Sequence, residues 1–191
     1  MTALEYFIDF KSAEAYLSLS PTLKLSDLPD VEIRWRPFQT VQTDIPRERT
    51  AESKGDVHRR VRANARRRMN LTYAQRLSVP MSYPAVSGET DHALAALLNG
   101  LSAPAAYVEA AFEAYWVHHE NLDDTAVVNR LLAATGNKAV YAVQWPPLLM
   151  ALADAQHAAE SQGVINAPGY VVADQLFIGR EHLPWIRELL S

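Results

Sequence analysis

The chain opens on an apolar, aromatic run. LEYFIDF at residues 4–10 predicts a buried strand. In the KSAEAYLSLS that follows, Ser12 is placed to cap a helix and Glu14 suits its first turn. Ala15, Tyr16, Leu17 and Leu19 supply apolar positions, and Pro21 is expected to interrupt or kink the helix. Residues 31–36 (VEIRWR) alternate strictly, with Val31, Ile33 and Trp35 on one face. They predict a second strand, stopped by Pro37. Strand, helix and strand in this order make a βαβ unit with a parallel pair.

The middle of the chain reads as helical. It begins with a polar stretch, residues 42–56, that predicts a mobile loop. A basic helix candidate, HRRVRANARRRM, comes next, and then DHALAALLNG, PAAYVEAAFEAYWVHHE and DDTAVVNRLLAATG. In the third of these four segments, Tyr107, Ala111, Ala114, Tyr115 and His118 recur at helical spacing. In the fourth, Asp123 or Asp124 can cap and Gly136 follows the end. Pro146 and Gly163 bracket one more helix, WPPLLMALADAQHAAESQG. The last zone predicts strands at 170–173 and 175–178 joined by a tight turn at Asp174, with Gly179 ending the second. A terminal helix follows, carrying Leu183, Ile186, Leu189 and Leu190 on one face and Pro184 in its first turn. A βαβ unit at one end and ββα at the other combine into a four-stranded mixed sheet with helices on its faces. That is an α/β, thioredoxin-like fold, formed by residues 1–40 and 162–191, with residues 41–161 as a helical insertion domain.

Composition narrows the chemistry. At 191 residues with 49% hydrophobic and 21% charged positions, the chain fits one globular domain carrying an insertion. It has no cysteine, so a disulfide, a thiolate metal site and a cysteine nucleophile are excluded. Any thiol chemistry must use a thiol brought by a ligand. A net charge of −4 argues against a nucleic-acid partner. No segment has the length and apolarity of a membrane span. The start, MTALEYFIDF, lacks a basic run and carries Glu5 and Asp9, so no signal peptide is expected and the cytoplasm is the expected location.

Several segments, in order, resemble the 2-hydroxychromene-2-carboxylate isomerases and kappa-class glutathione transferases, within the DsbA-like thioredoxin superfamily. IDFKSAEAYLSL is similar to that family's opening, through Asp9, Phe10, Ser12, Tyr16 and Leu17. WRPF at 35–38, AYWVHHENLDD, GVINAPGYVV and LFIGREHL resemble its later segments. The resemblance implies a glutathione-dependent enzyme, as a rule a homodimer, that isomerises an unsaturated carboxylate derived from aromatic catabolism. A kappa-like transferase conjugating electrophiles is the first alternative, and a non-catalytic thioredoxin-like binding module the second. A dithiol mechanism is excluded by the absent cysteines.

The implied roles fall on particular residues. Ser12, at a helix N-terminus, would hydrogen-bond the glutathione sulfur where the helix dipole favours thiolate. Pro168 is expected to be cis, presenting the backbone of Ala167 to the peptide of glutathione as an added strand would. Arg180 and Glu181 would bind the γ-glutamyl carboxylate and ammonium. Lys11, Tyr16 and Trp35 are candidate substrate-pocket residues. Each has a plainer reading: Ser12 as a helix cap, Pro168 as a trans proline starting a strand, Glu181 as a first-turn acid and Trp35 as core. The sequence departs from the family at Ala13, Glu14, Asn166 and His182, and the family's usual tyrosine and aspartate near the start of the insertion have no clear match around Ala65 and Met69. The arginine run 59–68 reads as a solvated helix face or as a lid attracting an aromatic carboxylate. His118, His119 and Glu120 are a weak metal pattern, because adjacent histidines do not share a helix face, and no metal site is assigned.

Overall fold

A computed structural model of the chain describes residues 2–41 and 53–191. Its sheet has four strands in the order β2-β1-β3-β4. The first strand, β1 (Thr2–Ile8), lies inside the sheet, and Leu4, Tyr6 and Ile8 are fully buried. It ends two residues before the apolar run does. The Asp9 carboxylate accepts the backbone N–H groups of Lys11 and Thr40, at 3.0 and 2.9 Å, and turns the chain.

Helix α1 (Ala13–Leu23) follows. Pro21 does not stop it. A proline inside a helix removes one N–H, here the donor to the Leu17 carbonyl, and the helix tightens into a 3-10 turn at Lys24–Asp27. Strand β2 (Val31–Pro37) then pairs parallel to β1, from Thr2 opposite Val31 to Ile8 opposite Pro37.

The other half-sheet is antiparallel. Strand β3 (Gly169–Val172) pairs with β1, and β4 (Gln175–Ile178) pairs with β3. Their connection is the two-residue turn Ala173–Asp174, with φ of 48° and 58°. Positive φ at both positions matches the right-handed twist of a hairpin. Among the described residues, five α-helices lie between β2 and β3: α2 (Lys54–Leu77), α3 (Asp91–Ala96), α4 (Pro104–Trp116), α5 (Thr125–Ala134) and α6 (Trp145–Ser161). Helix α7 (Leu183–Leu190) closes the chain and buries Ile186 and Leu190, while Leu189 is exposed. Residues 42–52 of the polar loop lie outside the described residues. Residues 53–56 are not loop: Ser53 caps α2 through the Asp56 N–H, and Asp56 sits in its first turn.

One continuous hydrophobic core joins the sheet to the inserted helices. Tyr6 stacks on Tyr170 across the β1–β3 pair, centroids 4.9 Å apart, and its hydroxyl donates to the Ala15 carbonyl at 3.0 Å, fixing α1 to the sheet. Phe10 sits edge-on to Phe112 of α4, and the Trp116 indole donates to the Phe10 carbonyl at 2.9 Å. That bond fixes the turn before α1 relative to the insertion. Helix α2 is built differently. Over 24 residues it buries only Asn70 and Ala74, and it packs against α1.

Candidate functional site

The N-terminus of α1 meets the start of β3 at Ser12. The Ser12 hydroxyl accepts the Ala15 N–H at 3.2 Å, the expected cap, and donates to the Ala167 carbonyl at 2.7 Å. The Ala167–Pro168 peptide is cis. The Ala167 N–H is also engaged, donating to Oδ1 of Asn166 at 2.9 Å. Both backbone polar groups that an added strand would use are therefore held internally. Beyond Pro168, its carbonyl accepts the Gly179 N–H at 2.9 Å, which places the Arg180–His182 turn beside the cis proline.

A cleft of about 450 Å³ opens over Ser12. Residues 11–14 and 166–167 form its floor. One wall is the α2 face with Arg59, Arg62, Arg66 and Arg67, and the other carries Tyr83, Pro84, Tyr115 and Trp116. Of the sequence-predicted site residues, the structure brings Lys11, Ser12 and Ala167 together in this cleft. Pro168 is buried just behind Ala167. Arg180 and Glu181 do not line it. The Arg180 guanidinium lies over the Tyr73 ring, 4.0 Å from its centroid, and the Glu181 carboxylate folds back over Gly179. Tyr16 and Trp35 do not line it either. Tyr16 stacks behind Trp116 and donates to the Pro80 carbonyl at 3.0 Å. Trp35 packs against Tyr6 from β2, on the far side of β1 from β3, where Ala167 leads in.

Charge at the floor is balanced locally. Lys11 Nζ pairs with Glu89 at 2.8 Å. Burial pulls its pKa down, and Glu89 and Asp9 outweigh burial and hold it above the ordinary lysine value. Asp9 lies beneath the turn, fully buried, and burial raises its pKa despite the Thr40 and Lys11 donors. Glu14, an acid near the N-terminus of α1, faces Arg66 at 3.6 Å, so the field of the helix end is not left to the carboxylate alone. The three side chains of the weak metal pattern diverge: His118 turns to Glu113, His119 to Ser82, and Glu120 to Arg130.

The fold and this geometry define the class, and the whole-chain comparison agrees. The chain belongs to the DSBA-like thioredoxin domain family, matched over residues 3–191. Among solved structures it is similar to a 2-hydroxychromene-2-carboxylate isomerase, with 20% identity and a TM-score of 0.73 over 97% of this chain and 93% of that one. It is also similar to the cytosolic disulfide reductase DsbM from Pseudomonas aeruginosa, solved with GSH, at 15% identity and a TM-score of 0.65 over 98% and 95%. A thioredoxin-like oxidoreductase from Silicibacter pomeroyi DSS-3 matches at 16% identity and 0.55 over 99% and 84%. At these identities the likeness is one of fold. No curated protein matches the chain.

Sequence reasoning missed Tyr83, Tyr115, Trp116 and Asn70 as cleft residues, and it missed the cap that Asn166 places on Ala167. For Arg59, Arg62, Arg66, Arg67 and Asn70 the signal existed: they recur at three- and four-residue steps, the spacing of one helix face. For Tyr83, in a loop after α2, no sequence periodicity marks a role.

Proposed function

We propose that the protein is a glutathione-dependent isomerase acting on an unsaturated carboxylate, with the glutathione thiol activated at Ser12. The observation that carries this reading is the meeting of Ser12, at a helix N-terminus, with the cis Ala167–Pro168 peptide at the floor of a cationic cleft, in a chain without cysteine. The site offers the surroundings of a thiolate and no sulfur of its own. The DsbM structure solved with GSH shares this fold, in keeping with such a ligand.

Glutathione lies with its thiol at Ser12 and its peptide along Ala167, running past Pro168 toward Arg180 and Glu181. The Ser12 hydroxyl turns its proton from the Ala167 carbonyl to the sulfur. The N-terminal dipole of α1 and Lys11 add positive potential, lowering the thiol pKa. The thiolate adds to the β-carbon of a conjugated double bond, and the displaced electron pair moves onto the conjugated carbonyl. The former double bond rotates as a single bond. The carbonyl then re-forms the conjugated bond as the C–S bond breaks, returning the thiolate. Nothing is consumed, so the net reaction is an isomerisation. The arginines of α2 hold the substrate carboxylate, and Tyr83, Tyr115 and Trp116 pack on its unsaturated portion.

Calorimetric titration of glutathione into the purified protein tests the reading. Saturable binding that weakens in Ser12→Ala supports it, and product mass then separates isomer from conjugate. An absence of binding at millimolar glutathione overturns it.

A further inference from the structure

Helix α2 turns an unusual face to the cleft. Positions 59, 62, 63, 66, 67 and 70 form the stripe that is apolar when a helix lies on a core. Here it reads Arg, Arg, Ala, Arg, Arg, Asn. In a chain of net charge −4, the cleft gathers four arginines and Lys11, with Glu14 as the acid among its lining residues. Internal partners account for part of this charge. Arg59 pairs with Asp56, Arg66 faces Glu14, Arg67 lies over the Tyr83 ring at 4.7 Å, and Lys11 pairs with Glu89. Arg62 has no ion pair among the described residues.

Like charges one turn apart on a helix repel, so the face carries a repulsion that bound anions relieve. One carboxylate matches one guanidinium fork. Arg62 and Arg66, four positions apart, lie about one turn, ~6 Å, apart along the helix, a spacing on the cleft face that suits two acidic groups on one small molecule. At the end of the stripe Asn70 is 2% exposed, and its Oδ1 has no hydrogen-bond partner among the described residues. A buried acceptor in that state is suited to a hydroxyl or other donor on the ligand, not to its acidic groups. The opposite wall is aromatic.

We propose that the molecule recognised by this face is a polyacid: a planar, unsaturated compound with at least two acidic groups, read by α2 arginines one turn apart. This deepens the isomerase reading, on which it rests for the reaction but not for the binding.

The test titrates the full-length protein, without glutathione, with phthalate, benzoate and phenyl phosphate at low and at high salt. Phthalate is expected to bind about tenfold more tightly than benzoate, the worth of one added charge-assisted pair, and the gap is expected to narrow with salt. It is also expected to collapse in the Arg62→Gln, Arg66→Gln double variant, whose fold is checked by circular dichroism. Phenyl phosphate, whose charge sits on a single group, is expected to bind as benzoate does; phenyl phosphate matching phthalate would show that charge on one group suffices and would overturn the two-group reading. Equal affinity for phthalate and benzoate, no binding of either, or a preference that survives the double variant overturns the proposal. Because glutathione is left out, such a failure leaves the thiol site untouched. Conversely, a phthalate preference in a protein that does not bind glutathione keeps the anion face and removes the thiol chemistry.

Discussion

Asn166 stands where it would compete with the proposed glutathione. Its Oδ1 accepts the Ala167 N–H at 2.9 Å, so a glutathione carbonyl can take that N–H only after the carboxamide swings away. A neutral hydrogen bond of this kind contributes about 0.5–1.5 kcal/mol net, and binding must offset that loss before any gain is seen. Replacing Asn166 with Ala removes the acceptor without adding the backbone freedom of a glycine. Glutathione affinity should then rise by about two- to tenfold, since ~1.4 kcal/mol is one decade. The unliganded protein should lose about 1 kcal/mol, because Asn166 is half-buried and its partner N–H is left open to a ligand or water. Calorimetric titration gives the first quantity and denaturant unfolding the second. Unchanged or weaker glutathione binding in Asn166→Ala, with the stability loss present, would refute the claim that Ala167 pairs with the ligand.

Three further outcomes follow from the packing and the charges. Burial raises the Asp9 pKa in the folded state, so the carboxyl contributes stability in full below the unfolded value of about 3.9. That contribution is lost as pH rises through the raised value. The stability of the wild type relative to Asp9→Asn should therefore fall as pH climbs out of the acid range, and a flat or rising difference in urea unfolding would contradict this. Trp116→Ala removes a fully packed ring and the donor to the Phe10 carbonyl. It should cost about 3–5 kcal/mol, seen as a large drop in Tm, whereas a loss under 1 kcal/mol would show that the cleft wall is not anchored there. Arg180→Ala removes the cation–π contact with Tyr73, worth about 0.5–1 kcal/mol at a partly exposed site. Loss of glutathione affinity alongside that small stability change would mean Arg180 leaves Tyr73 for the ligand, and a stability change with unchanged affinity would mean it does not.

The element order was readable because its signals are local. The alternation at Val31, Ile33 and Trp35, the cap at Ser12 and the breaks around Asp174 and Gly179 each act within a few residues of themselves, and together they specify the β2-β1-β3-β4 sheet. Strand β1 ends at Ile8 because Asp9 folds its carboxylate onto the turn, a contact reaching to Thr40 that no local pattern encodes. Pro21 fails to break α1 because one missing donor is tolerated in a helix packed along its length. The floor of the site, Ser12 against Ala167, was legible only through family resemblance, since the two are 155 positions apart. The aromatic wall was not legible. Trp35 and Tyr16 look as suitable for a pocket as Tyr83 and Trp116 do, and tertiary packing alone assigns the first pair to the interior and the second to the cleft.

The proposed chemistry depends on Ser12 and the end of α1 holding a ligand thiol as thiolate. The most direct measurement is the ultraviolet thiolate absorbance of glutathione bound to the protein, titrated with pH for the wild type and Ser12→Ala. A bound thiol pKa clearly below the free thiol range of about 8.5, moving back toward it in Ser12→Ala, is the predicted result. A bound thiol that titrates where free glutathione does, in both proteins, would rule out that role for Ser12.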